Sequence, residues 1–229
     1  MASKRKARPL VIGYAGSLTY YRPGMERTRR WAGLRQWLWT YQVQNVNHHT
    51  RSGYFLFRGV ERFVALYPSL AEHLEIHLWG LIHEVNKQQV EAFGIGEVVT
   101  IEGFLPKDQS HRKLMACDVL FLPLEVPHDG QDSLYLPGKM FEYMRFKKPV
   151  LILGARTDAV DILSRAGLGI LCDPFDPDAV AAQLKHLVEN RETLAARYQP
   201  DNEYIESNFS FRHLSKQLAH VFEAVLEET

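Results

Sequence analysis

With 229 residues, 46% of them hydrophobic, the chain can bury a sizeable core and reads as one domain. Its 27 Lys and Arg balance 27 Asp and Glu, which argues against a nucleic-acid protein that binds through bulk positive charge. No apolar run approaches the length of a membrane span and no secretory apolar stretch follows Met1, so the composition points to a cytoplasmic protein. Cys117 and Cys172 both sit beside strand-like runs and are expected as buried free thiols of a reducing compartment.

Residues 1–8 are basic and lack apolar periodicity, so they read as a linker or an expression tail. A membrane-surface arm is the lesser reading, because stable anchoring takes more than one short basic run. Leu10 to Tyr14 predicts a strand, followed by the small-residue loop Ala15-Gly16-Ser17-Leu18-Thr19. Such a loop lets backbone N–H groups approach a phosphate, and Arg22 follows shortly. The plain alternatives are an ordinary turn and a solvated arginine. The segment 25–50 then carries Arg27, Arg29, Arg30 and Arg35 among Trp31, Trp37 and Trp39. It predicts an inserted helix from Glu26 to about Tyr41. Basic residues interleaved with aromatics allow a nucleic-acid surface, but the zero net charge favours a Trp face packed on this domain or a partner. His48-His49 lacks a spaced third ligand and does not make a metal site.

Phe55, Val60, Phe63, Val64 and Tyr67 recur at near-helical spacing, predicting a helix from Tyr54 to Tyr67 that Pro68 ends. Ile76 to Trp79 predicts a strand, and Val85 to Phe93 a helix stopped by Gly94. Val98 to Ile101 is the next strand, running into Gly103-Phe104-Leu105-Pro106. A helix from Asp108 to Ala116 and a strand from Val119 to Leu122 follow. Downstream of the central motif come a helix (Asp158 to Arg165), a strand (Gly169 to Leu171) and a helix (Asp178 to Glu189). A short helix near Arg191 to Arg197 and a long one from Phe211 to Glu227 end the chain. Asp176-Pro177-Asp178 reads as an N-cap with proline at the first helical position, rather than as a metal-binding D-x-D. Gly94-Ile95-Gly96 follows a helix and is a C-cap, not a dinucleotide fingerprint. Asn208-Phe209-Ser210 spells a glycosylation acceptor that a cytoplasmic chain would not use. This alternation predicts an α/β, Rossmann-like, three-layer domain over 9–229, with a parallel sheet of about six strands and helices on both faces.

The chain is organised around Pro137-Gly138-Lys139-Met140-Phe141-Glu142-Tyr143 and the Lys147-Lys148-Pro149-Val150 that follows. A Pro-Gly turn starts a short helix, two lysines and a proline end it, and Val150 to Leu153 is a strand buried on both faces. Met140, Phe141 and Met144 are expected to face the sheet. Lys139 and Glu142, three apart, are neighbours on the helix surface. The loop Glu125 to Leu136 precedes them. Strand, polar loop, helix start and charged pair make a cradle for an anionic ligand.

That order (apolar strand, loop, P-x-K-x-x-E-Y, then K-P-V with an apolar strand) resembles the nucleotide-sugar-binding half of a GT-B glycosyltransferase, group 1 (family 4) type. The resemblance extends over most of the chain. It implies that Glu142 accepts hydrogen bonds from the ribose hydroxyls, strong bonds because the acceptor is charged. It places Gly103, Phe104 and Leu105 beside the nucleobase. Around the diphosphate it places Gly16, Ser17, Arg22, Lys139 and the backbone of Tyr135, Leu136, Pro137 and Gly138, where negative charge grows as the sugar leaves. Lys139 and Glu142 are thus its catalytic pair. The resemblance further implies a retaining transfer from an NDP-sugar of UDP or GDP type, in glycan synthesis, with no metal and no cofactor. The acceptor would be bound by an N-terminal domain that this chain does not contain, so the chain alone binds but does not transfer. A peripheral membrane contact belongs to the full-length enzyme on the same reading. One position departs from the pattern: Leu134 stands where many members carry a second glutamate, eight places before Glu142. Glu125, Asp129 and Asp132 lack that spacing, which leaves the donor sugar open. A nucleotide-sugar 2-epimerase-like half and a non-catalytic nucleotide-binding or interaction domain are the alternatives.

Overall fold

Strands that are apolar at every position need cover on both sides, and helices supply it here. The structure, a computed structural model, describes residues 8–25, 46–127 and 135–227. β1 (Leu10–Ala15), β3 (Leu74–Trp79), β4 (Val99–Glu102), β5 (Val119–Pro123), β7 (Val150–Leu153) and β8 (Gly169–Cys172) form one parallel sheet. Their order is β4-β3-β1-β5-β7-β8, so the direction of winding reverses between β1 and β5. In open α/β sheets a crevice opens at such a reversal, outside the carboxyl ends of the strands.

Alternate residues of the central strands β1, β5 and β7 enter two separate cores. The first gathers Leu10, Ile12, Ile76, Phe121 and Leu151 beneath α1 (Tyr54–Leu66) and α7 (Pro177–Glu189). The second gathers Leu120, Leu122, Val150 and Ile152 beneath α4 (Lys107–Ala116), α5 (Gly138–Phe146) and α6 (Asp158–Arg165). On α5 the sheet-facing side chains are Met140, Tyr143 and Met144, while Phe141 is 39% exposed and meets Phe209. The expected Met140, Phe141 and Met144 face is therefore corrected: spacing of three and four from Met140 selects Tyr143 and Met144. α1 crosses α7 closely, because Gly59 has no side chain and a Cβ there would overlap Val180.

Pro68 does end α1, but by opening the four-residue α2 (Pro68–Ala71). α3 (Glu84–Ala92) stops at Gly94, with φ of 63°. Asp176 caps α7 by accepting from the Ala179 N–H at 2.9 Å, as its position before Pro177 predicts. α8 (Leu194–Arg197) follows a 3₁₀ turn. α9 (Asn202–Phe209) lies outside the expected pattern, whereas α10 (Phe211–Glu227) matches it. On α10, Phe211, Val221, Phe222 and Val225 are exposed. A two-residue antiparallel pair, β2 (Val46–Asn47) with β6 (Val126–Pro127), is a further addition. The inserted helix expected from Glu26 to Tyr41, with its arginines and tryptophans, falls outside the described residues.

Two buried polar side chains tie these connections down. Asn86 accepts from the Gly53 N–H and donates to the Thr19 and His83 carbonyls. Thr50 donates to the Leu124 carbonyl at 2.8 Å and accepts from the Val126 N–H at 3.1 Å. Cys117 and Cys172 are free and buried. Burial pushes their thiols up, to about 12 and about 11. No helix among the described residues is long and apolar enough to cross a membrane.

Gly59→Ala is expected to destabilise the chain by about 1–3 kcal/mol through overpacking against Val180, reversing the usual gain of Gly→Ala inside a helix. Urea denaturation measures it. Lys147 ends α5 with φ of 56°, in the left-handed region that glycine favours. Lys147→Gly should accordingly raise stability by about 0.5–1 kcal/mol in the same assay.

Candidate functional site

β1 ends at Ala15, and the chain must then turn without blocking the crevice. Gly16 does so with φ of 152°, and Gly80, at the end of β3, with φ of 122°. The two backbones pack directly, since a Cβ on Gly80 would overlap the Gly16 backbone. The Gly16 N–H donates to the Trp79 carbonyl at 2.8 Å, and the Tyr14 hydroxyl donates to the Ser17 carbonyl at 2.7 Å. The loop is thus held from both sides. Because its N–H is engaged, Gly16 does not offer the phosphate-binding amide expected of it. It offers space: a Cβ there would overlap the Cε and Nζ of Lys139.

Two spaces open around this contact. The larger, about 310 Å³, is a cleft lined by Gly16, Ser17, Trp79, Phe104, Leu105, His111 and Glu142 among others. The smaller, about 190 Å³, is a recess lined by Tyr14, Arg51, Tyr135, Pro137, Gly138 and Lys139, with Leu122 and Pro123. α5 begins between them, with Pro137 at its N-cap and no side chain capping its first amides. The positive end of the helix is therefore turned toward the recess.

Of the residues singled out from sequence, Gly16, Ser17, Phe104, Leu105 and Glu142 line the cleft, and Pro137, Gly138 and Lys139 line the recess. Gly103 lies behind the cleft wall, its carbonyl accepting from the Gly80 N–H at 3.1 Å. Leu136 is 41% exposed and lines neither space. Arg22 also lines neither. Its guanidinium instead reaches Gln88 on α3 at 3.4 Å.

The Lys139 ammonium stands 5.5 Å from the centre of the Tyr14 ring, over its face. Burial, then the nearby Arg51 guanidinium, holds this ammonium below the usual lysine range, with Glu142 pulling it back. Burial drives the Tyr14 phenol up, opposed by Arg51. Arg51 is aimed by Glu125, a carboxylate 5% exposed whose Oε1 accepts from Nη1 at 3.1 Å, and it lies over the Tyr135 ring. Glu142 pairs with His111, whose Nε2 lies 2.5 Å from Oε1, rather than with Lys139. The expected Lys139–Glu142 surface pair is thus corrected. Trp79 is fixed in the cleft wall by donating Nε1–H to Glu102 at 2.7 Å. The Lys113 ammonium, hydrogen-bonded to the same carboxylate, holds Glu102 below its usual range, and Trp79 adds to the effect.

Arg51 and His111 were absent from the sequence-derived set. Arg51 precedes α1 without a surrounding pattern, and His111 belongs to a polar helix, 31 positions from its partner. Among the described residues no three His, Cys, Asp or Glu side chains are grouped so that they could hold a metal ion.

The family model "Glycosyl transferases group 1" matches residues 52–190, more than half of the chain. No curated protein matches by sequence. Among solved structures, HepE from Anabaena in complex with UDP superimposes with a TM-score of 0.58 at 16% identity, over 95% of this chain and 50% of that one. A glycosyltransferase from Rickettsia africae gives 0.63 at 12% identity, over 97% and 49%. The α,α-trehalose 6-phosphate synthase from Burkholderia multivorans gives 0.62 at 13%, over 97% and 44%. At such identities the likeness speaks for the fold. The chain spans about half the length of these matched structures.

Gly80→Ala, whose Cβ meets fixed backbone, is expected to lose about 1–3 kcal/mol of stability. Gly16→Ala, whose Cβ meets the movable end of a lysine, should lose less. Denaturation midpoints of the two variants, compared side by side, check the order.

Proposed function

The chain belongs to the group 1 glycosyltransferases, and we propose that it is the donor-binding half of a retaining member. On this reading it holds a nucleotide-sugar of UDP or GDP type for transfer to an acceptor bound by a second domain. The observation that carries the reading is the place of the Glu142 carboxylate, on the cleft wall at the carboxyl ends of the strands, beside the Gly16 loop. A carboxylate there accepts from the two hydroxyls of a ribose. The base then lies toward Phe104 and Leu105, and the diphosphate runs past Gly16 to the opening of α5.

Breaking the bond between the anomeric carbon and the diphosphate leaves negative charge on the departing oxygens. Fixed positive charge facing that position lowers the barrier. Lys139 and Arg51 both line the recess, and each is held in place, by Tyr14 and by Glu125. Arg51 therefore takes the role that the resemblance gives Arg22. We assign leaving-group stabilisation to this pair and to the α5 amides, and expect no cofactor. The sugar occupies the recess beside Tyr135. Support comes from HepE, whose structures hold UDP and UDP-glucose on the same fold, and from the half-length of the chain, which fits a donor half. Alone, it is expected to bind and not to transfer.

Isothermal titration with UDP, GDP and ADP tests the reading. One of the three should bind, and Glu142→Ala should weaken it by about tenfold or more, the loss of charge-assisted hydrogen bonds. An unchanged affinity removes the ribose assignment. Inorganic pyrophosphate should raise the thermal midpoint of the parent by mass action. That rise should vanish in Lys139→Met and shrink in Arg51→Met.

A further inference from the structure

Glu142 stands on the second turn of α5 with its side chain 33% exposed, and His111 on α4 with 24%. Ion pairs this open to water add little to stability. The packing of α4 and α5 rests instead on the buried side chains Leu114, Met140, Tyr143 and Met144. The contact is nevertheless short, and both groups line the same cleft. His111 is itself steadied by Phe146, which meets its ring edge-on at 5.4 Å between centres.

We propose that His111 is the positioning residue of the ribose site. Its Nε2–H donates to Glu142 Oε1 and fixes the plane of the carboxylate. Oε2 and the second lone pair of Oε1 are then turned to the two neighbouring hydroxyls of a ribose. A glutamate side chain on a helix surface otherwise samples several rotamers, and two hydrogen bonds to a rigid diol require one. The site is thereby specific for ribonucleoside diphosphates over their 2′-deoxy counterparts. This inference rests on the ribose role of Glu142 given above.

The test is titration of UDP, GDP and ADP and of the three 2′-deoxynucleoside diphosphates into the parent, His111→Ala, His111→Gln and Glu142→Ala. The parent should favour the ribonucleotide, and Glu142→Ala should abolish the preference. His111→Ala should weaken the ribonucleotide about three- to tenfold, one hydrogen bond's worth, and the 2′-deoxy counterpart, which keeps only its 3′-hydroxyl bond to Glu142, distinctly less, so that the preference shrinks. His111→Gln, which restores an N–H donor, should recover most of the loss. A preference intact in His111→Ala but gone in Glu142→Ala overturns the role of His111 and spares that of Glu142. Equal weakening of both nucleotides in His111→Ala marks a structural effect and overturns it too. A preference that survives Glu142→Ala, or binding of none of the six, overturns the ribose reading and this inference with it.

Discussion

The Lys139 ammonium can rest against the loop after β1 because Gly16 presents no side chain to it. That contact joins the two parts of the chain that frame the reversal in strand order, the exit from β1 and the entrance to α5. Everything else at the site is arranged about it. Gly80 supports Gly16 from below, Tyr14 offers its ring to the lysine, and Arg51 raises the local positive potential from the other side. The Arg51 guanidinium, although paired with Glu125, still disfavours the charged form of Lys139, so the two cations are felt by one another across the recess.

Buried polar side chains hold the segments that bear these groups in register. Asn86 satisfies backbone from three connections at once, and Thr50 hooks the turn before α1 to the segment after β5. A buried amide or hydroxyl left unpaired costs more than its hydrogen bond contributes, so each of these residues fixes one arrangement rather than several. Arg51 and Tyr135 thereby meet although one precedes α1 and the other precedes α5.

The sheet was legible because β1, β5 and β7 are unbroken apolar runs and the helices between them have clear starts and stops. The exceptions have local causes. α9 buries one residue, Ile205, so no periodic face marks it. β2 and β6 are two residues each, and Pro127 argues against a strand. Within the site, Gly16, Glu142 and Lys139 were legible because local order (strand, small loop, helix start) carries them. Their partners were not. Spacing makes Lys139 and Glu142 neighbours, but the choice of His111 over Lys139 depends on where a different helix lies, and it is tertiary closure that brings Arg51 rather than Arg22 to the recess. Pairing across long separations leaves no mark in a single sequence.

Both thiols lie inside the sheet layers with their protons held on, and it is the thiolate that reacts. Toward a maleimide at neutral pH the two thiols of the folded chain are therefore expected to react slowly. A cysteine introduced at Phe104, 72% exposed on the lip of the cleft, would be the faster attachment point for a fluorophore, without any need to strip the native pair first.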